Sequence, residues 1–137
     1  MSNGTLKGRT IVEGCCIAEA LVSHKPLSFL GGIEDAHGTI VEKDHDAYGQ
    51  CVKDKVLCFP HGHGSTVGSY VLYSLARRHL APKALLNQTA DPVVVVGAII
   101  SQIPMMDHVD IEKIKTGDLV EVDATKGIVR ILRRKER

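Results

Sequence analysis

Val56-Leu57-Cys58-Phe59-Pro60-His61-Gly62-His63-Gly64-Ser65-Thr66-Val67-Gly68-Ser69-Tyr70 passes from an apolar run, through a glycine-rich turn, into a stretch of helical periodicity. Four consecutive apolar residues stopped by Pro60 read as a strand that breaks into the turn. Glycines at 62 and 64 let the backbone take positive φ and approach a ligand closely. Ser65 and Thr66 then stand where a helix begins. A helix start offers unpaired N–H groups and positive dipole charge to a carboxylate or phosphate. Strand, glycine turn and helix start together set an α/β fold class and point to an anion site or a reactive serine. The same spacing is also met if Ser65 or Thr66 only caps the helix.

Downstream, apolar residues at 67, 70, 71 and 75 predict a helix over 66–78, slim at Gly68 and Ser69 and blocked by Pro82. Ala84-Leu85-Leu86-Asn87 reads as a strand. Asp91-Pro92 supplies an N-cap and a first-turn proline for a helix running to about residue 100, although the β-branched run 93–96 also fits a strand. Asp118-Leu119-Val120-Glu121-Val122-Asp123 alternates in polarity, and Ile128-Val129-Arg130-Ile131-Leu132 follows a turn at 124–127, predicting a β-hairpin. Upstream, Arg9-Thr10-Ile11-Val12 and Ala20-Leu21-Val22 suit an opening antiparallel pair. Residues 30–50 are turn-rich, with a small strand at Thr39-Ile40-Val41, and read as a functional or mobile segment. The expected architecture is one compact α/β domain over residues 1–137, barrel-like or layered, ending in a basic tail at 133–137.

With 137 residues, 44% of them hydrophobic, the chain can bury a single core. Its 17 Lys and Arg against 16 Asp and Glu give a formal charge of +1, which argues for no nucleic-acid or membrane partner. The longest apolar run, at 93–100, is well short of the roughly 20 residues that cross a bilayer, and the N-terminus lacks signal architecture, so a cytoplasmic location is expected. Cys15, Cys16, Cys51 and Cys58 lack paired metal-ligand spacing; they are read as buried free thiols, and no metal site is expected in this chain. His61 and His63 flank Gly62, a weak signal for a metal without further ligands. His24, His37, His45, His79 and His108 read as surface or turn positions.

Taken in order, Pro26-Leu27-Ser28-Phe29-x-Gly31-Gly32, Gly62-x-Gly64-Ser65-Thr66-x-Gly68-Ser69-Tyr70, Ala81-Pro82, Ala90-Asp91-Pro92 and Gly97-Ala98-Ile99-Ile100 resemble the small subunit of aconitase X, a family that includes archaeal phosphomevalonate dehydratase. The likeness runs from about residue 5 to residue 132. It implies the swivelling β/β/α domain of the aconitase superfamily, closing over a large catalytic subunit that carries an iron–sulfur cluster, with no cofactor held by this chain. It further implies a hydro-lyase of isoprenoid biosynthesis, inactive without the large subunit, that dehydrates (R)-mevalonate 5-phosphate, a small phosphorylated hydroxy acid, to trans-anhydromevalonate 5-phosphate.

In that family a serine of the small subunit acts as base, and Ser65 is the matching position. Gly62, Gly64 and Thr66 would bind the anionic end of the substrate or orient Ser65 through their N–H groups. Two departures stand out: His63 precedes the second glycine of the loop, and Leu30 occupies a position where an aromatic residue is common. Arg77 and Arg78 lie roughly 18 Å along the helix from Ser65, at 1.5 Å per residue, and read as surface or dipole partners. Two alternatives remain open on the sequence: a subunit of a cis-3-hydroxy-L-proline dehydratase, and a noncatalytic anion-binding module.

Overall fold

The computed structural model describes residues 4–135. Its strands are β1 (Thr5–Lys7), β2 (Arg9–Val12), β3 (Cys15–Val22), β4 (Ile33–Glu34), β5 (Thr39–Ile40), β6 (Val56–Phe59), β7 (Ala84–Asn87), β8 (Met105–Asp107), β9 (Leu119–Asp123) and β10 (Ile128–Arg133). The α-helices are a kinked turn α1 (Phe29–Gly32), α2 (Gly68–Arg77) and α3 (Pro92–Ser101). Eight strands form one sheet in the order β1-β10-β9-β3-β6-β7-β8-β2. Neighbours from β3 to β8 are parallel, with the 23–55 segment, α2 and α3 as the three crossovers that parallel pairing requires, and the remaining pairs are antiparallel. The two edge strands are consecutive in the chain, divided only by Gly8, whose N–H donates to the Gly127 carbonyl at 3.0 Å. One segment therefore pairs with β10 at one end of the sheet and β8 at the other, and the sheet curls into a barrel-like form.

Period-two alternation assigns the faces. Val56, Cys58, Ala84, Leu86, Met106, Val120, Val122 and Val129 point inside the curl and form one buried cluster. Leu21, Leu57, Phe59, Leu85 and Met105 point outward and are covered by Leu72 and Leu75 of α2, Val94 and Ala98 of α3, and Leu27, Phe29, Ile40 and Val52 of the connecting segment. Two strand layers and one helical layer result, as the β/β/α expectation has it. The helices meet closely: a Cβ on Gly97 would lie 3.0 Å from Leu72 Cδ2 and 3.2 Å from the Ser69 carbonyl.

The expected strands at 56–59 and 84–87, the hairpin and the helix from Pro92 are present, the last capped by Asp91, which accepts the Val94 N–H at 3.1 Å. The expected antiparallel pair of 9–12 with 20–22 is not. β2 pairs with β8, and β3 with β9 and β6, because the apolar faces of both segments are claimed by strands distant in sequence. The helical stripe is also corrected: α2 buries Gly68, Ser69, Leu72 and Leu75, whereas Val67 and Tyr70 are exposed. Of the basic tail at 133–137, Arg133 completes β10, while the Arg134 guanidinium and the Lys135 N–H reach buried Asp118 at 3.2 and 2.9 Å; residues 136–137 lie outside the described residues. No helix among the described residues is long and apolar enough to cross a membrane.

Fully buried Asp107 closes the seam between β8 and β2. It accepts Arg9 Nε at 2.8 Å, Arg9 Nη2 at 2.7 Å and the Ala90 N–H at 3.0 Å. Burial pushes its carboxyl up, but these hydrogen bonds and the His108 and Arg9 charges outweigh burial and hold it below its ordinary value. A carboxyl lowered in the folded state adds stability above its unfolded value, about 3.9, and loses it as pH falls through the folded value. Urea midpoints should therefore be level above about pH 5 and fall from about pH 4 downward. Asp107→Asn should lower the neutral-pH midpoint, at a cost of roughly 1–3 kcal/mol, and flatten the acid decline. Identical acid declines in the two proteins would contradict this role.

Candidate functional site

β6 ends at Phe59, and its continuation carries the glycine turn to the start of α2. Gly64 takes φ +98°, a conformation only glycine adopts without strain, whereas Gly62 does not use positive φ. What Gly62 requires is close approach: a Cβ there would lie 2.4 Å from Val94 Cγ2 and 3.0 Å from Asp91 Oδ1. Ser65 does not cap α2: the N-cap is Val67, which makes no side-chain cap bond, and Ser65 instead closes a serine turn that leads into the helix. Its Oγ accepts the Val67 N–H at 3.1 Å, and its carbonyl accepts the Gly68 N–H at 2.9 Å. That turn does not exhaust the site. Ser65 and Thr66 are exposed, and among the described residues the N–H groups of Gly64, Ser65 and Thr66 donate no hydrogen bond. Three successive free donors at the positive end of a ten-residue helix form a cradle for an anion.

Three of the five motif segments meet here: the glycine loop itself, the 26–32 segment and the 90–92 segment. Leu27 bridges Gly62 in parallel fashion, its N–H donating to the His61 carbonyl and its own carbonyl accepting the His63 N–H, both at 3.2 Å. Ser28 follows, and its Oγ sits 2.7 Å from where a Cβ on Gly64 would be while donating to the Leu30 carbonyl at 2.8 Å. Asp91 and Val94, opening α3, form the floor under Gly62. Further along α3, Gly97 packs on α2. The fifth segment lies elsewhere: Pro82 is buried just before β7 begins, and the Ala81 carbonyl accepts the Asp54 N–H at 3.1 Å. Because β6 and β7 are parallel, that point is at the opposite end of the sheet.

His61 and His63 are exposed beside the loop, and His61 Nδ1 donates to the Gly62 carbonyl at 2.8 Å. Arg78 pairs with Asp35 at 3.6 Å, away from Ser65. The reading of His45 as a surface or turn position is corrected: its ring is buried. The Ala47 N–H donates to His45 Nδ1 at 3.2 Å, which places the ring proton on Nε2, directed at Ser23 Oγ at 2.9 Å. Ser23 in turn reaches Asp46 Oδ1 at 2.9 Å. Ser23 receives a proton donor from the imidazole rather than losing its proton to it, so this Ser, His and Asp group is a structural pin and not a nucleophilic triad. It ties the 42–49 loop to the end of β3, from which the chain leads to Leu27 and Ser28.

The expectation of buried thiols holds only for Cys58, whose burial pushes its pKa far up, and in part for Cys16, pushed up to about 11 by burial; Cys15 and Cys51 are exposed. No group of three or more His, Cys, Asp or Glu residues among the described residues could hold a metal ion. An iron–sulfur cluster therefore has no donor set among them.

Because Val94 is β-branched on a helix and nearly fully buried, it has no free rotamer to make room at Gly62. Gly62→Ala should destabilise the protein by about 1–3 kcal/mol, with part of the loss restored by adding Val94→Ala. Urea denaturation at constant m reads both effects; an unchanged midpoint for Gly62→Ala would contradict the packing described.

A family profile described as the aconitase X swivel domain matches residues 5–131. The phosphomevalonate dehydratase small subunit of Methanocaldococcus jannaschii is 52% identical over 127 residues, covering 93% of this chain and 97% of that protein. The phosphomevalonate dehydratase small subunit of Methanosarcina acetivorans is 47% identical over 133 residues, covering 95% of this chain and 92% of that protein. The crystal structure of aconitase X from Thermococcus kodakaraensis in its holo form superposes with a TM-score of 0.93 at 51% identity, over 95% of this chain and 99% of that one. Matched by the family profile and by relatives and a solved structure along nearly the whole chain, this protein belongs to the aconitase X swivel domain family.

Proposed function

We propose that this chain is the small subunit of an archaeal phosphomevalonate dehydratase: one cytoplasmic, swivelling domain, inactive alone, that closes over a large subunit carrying an iron–sulfur cluster. The observation that carries this reading is the exposed cradle at Gly64, Ser65 and Thr66, set where the 26–32 and 90–92 segments meet the glycine loop, in a chain about half identical to subunits of that name. The hydroxyproline alternative draws no support from those relatives.

Dehydration removes a proton from the carbon beside the substrate carboxylate and expels the hydroxyl of the neighbouring carbon as water. The cluster iron, when bound in the partner, supplies a Lewis acid for the departing hydroxyl. The contribution of this chain is the base. A serine hydroxyl is a poor base by itself and gains alkoxide character only where positive potential surrounds it. Ser65 Oγ already accepts one N–H, from Val67, and stands at the positive end of α2. The free N–H groups of Gly64 and Thr66 hold an anionic group of the substrate beside it. Gly62 lets the loop sit down on α3, and Ser28 backs Gly64, so the hydroxyl is held in one place rather than on a wandering loop.

A substrate comparison tests the assignment. The anaerobic complex should turn over mevalonate 5-phosphate and leave cis-3-hydroxy-L-proline untouched; the reverse preference would overturn the substrate and keep the reaction class.

A further inference from the structure

α3 breaks the rule for a surface helix. From Pro92 to Ser101 it carries no charged residue, although only one stripe of it, Val94, Gly97 and Ala98, is buried. Its outer side presents Val96 at 49%, Ile99 at 54% and Ile100 at 43% exposure, and α2 adds Tyr70 at 69%. A surface helix places polar residues on that side, and an apolar one is covered in the working assembly. Between the two helices lies a groove of about 410 Å³ lined by Thr66, Tyr70, Pro92, Val93, Val96 and Ile100. A second depression flanks α3 on its far side, formed by Ile11, Val12, Glu13, Ile99 and Gln102. An almost uncharged strip therefore runs along both sides of one helix, and one end of it is Thr66, beside Ser65.

We infer that this strip is the docking surface for the large subunit, which seats an uncharged aliphatic or aromatic segment in the α2–α3 groove. The inference rests on the subunit reading above and names the surface through which it operates. Three features select this occupant. The groove offers no charge to pair with, so a charged segment would be desolvated without compensation. Its continuity with Thr66 means that whatever fills it also borders Ser65, as a subunit bringing the rest of an active site must. The relatives at about half identity are named as small subunits, which calls for a large partner rather than a second copy of this chain.

The test measures binding of this chain to the reconstituted large subunit apart from turnover. Val96→Lys with Ile100→Lys, both exposed positions where lysine suits a helix, should weaken the complex by roughly tenfold or more, a charge having been placed in a desolvated apolar pocket. Ile99→Lys alone, on the far side of α3, should weaken it as well. Ile17→Lys on β3, 55% exposed and away from both helices, should bind like the unmodified chain. Circular dichroism and thermal melting check that each variant is folded, and Ile99→Lys carries the test if the double variant is not. Unchanged affinity of the folded groove variants would overturn the docking surface while leaving the dehydratase reading intact. Failure of the unmodified chain to bind the large subunit would contradict the subunit reading itself and remove this surface with it. A dimer of the isolated chain abolished by the same lysines would overturn the choice of occupant.

Discussion

Ser65→Ala should lower kcat of the assembled enzyme by roughly 10²–10⁴, the range over which a positioned general base acts, with little change in assembly. Because Ser65 Oγ also closes the turn that leads into α2, loss of activity in that variant alone does not separate loss of the turn from loss of the base. Ser65→Asn separates the two roles. Asparagine forms the same side-chain-to-backbone turn but offers no hydroxyl, so a turn role keeps the enzyme active and a base role leaves it as inactive as Ser65→Ala. Turnover by Ser65→Asn near that of the unmodified complex would contradict the assignment.

The largest stability loss is expected at Phe59. Its ring is fully buried at the end of β6 and meets Phe29 edge to face, with centroids 6.1 Å apart and planes at 67°. Phe59→Ala should cost about 3–5 kcal/mol, part of it through lost contact with the segment that carries Leu27 and Ser28 to the glycine loop. In a double-mutant cycle with Phe29→Ala, coupling of about 0.5–1.5 kcal/mol is expected for the aromatic pair beyond burial. A cost for Phe59→Ala below roughly 1 kcal/mol would mean that the site is not built on this contact.

Local signals were legible in the sequence wherever the deciding interactions are local. Pro60 and the apolar run before it marked β6, Asp91-Pro92 marked the start of α3, and polar alternation marked the hairpin. The glycine turn into α2 was legible for the same reason, whereas the cap was misplaced: it falls on Val67, two residues beyond Ser65. Partners distant in the chain were not. β2 and β3 each look like half of a hairpin, but their true partners lie some 30 to 100 residues away, with Ala20 opposite Val56 across the 23–55 segment and Arg9 opposite Asp107. β8, only three residues long, carries too little pattern to signal a strand and is defined by β7 and β2 on either side. His45 read as a turn residue among charges; its burial depends on Ser23, which sequence spacing does not bring near it. The α2 stripe was misassigned because Gly68 and Gly97, the residues that let the helices touch, are apolar contacts without apolar side chains.

The central claim is that this chain supplies one half of a dehydratase. Its most direct test is to titrate the large subunit, with its cluster intact, with this chain under anaerobic conditions and follow formation of the dehydrated product from mevalonate 5-phosphate. Neither protein alone should form product, and the rate should rise with added chain until the subunits are matched. Full activity of the large subunit without this chain, or no product at any ratio, would contradict the claim.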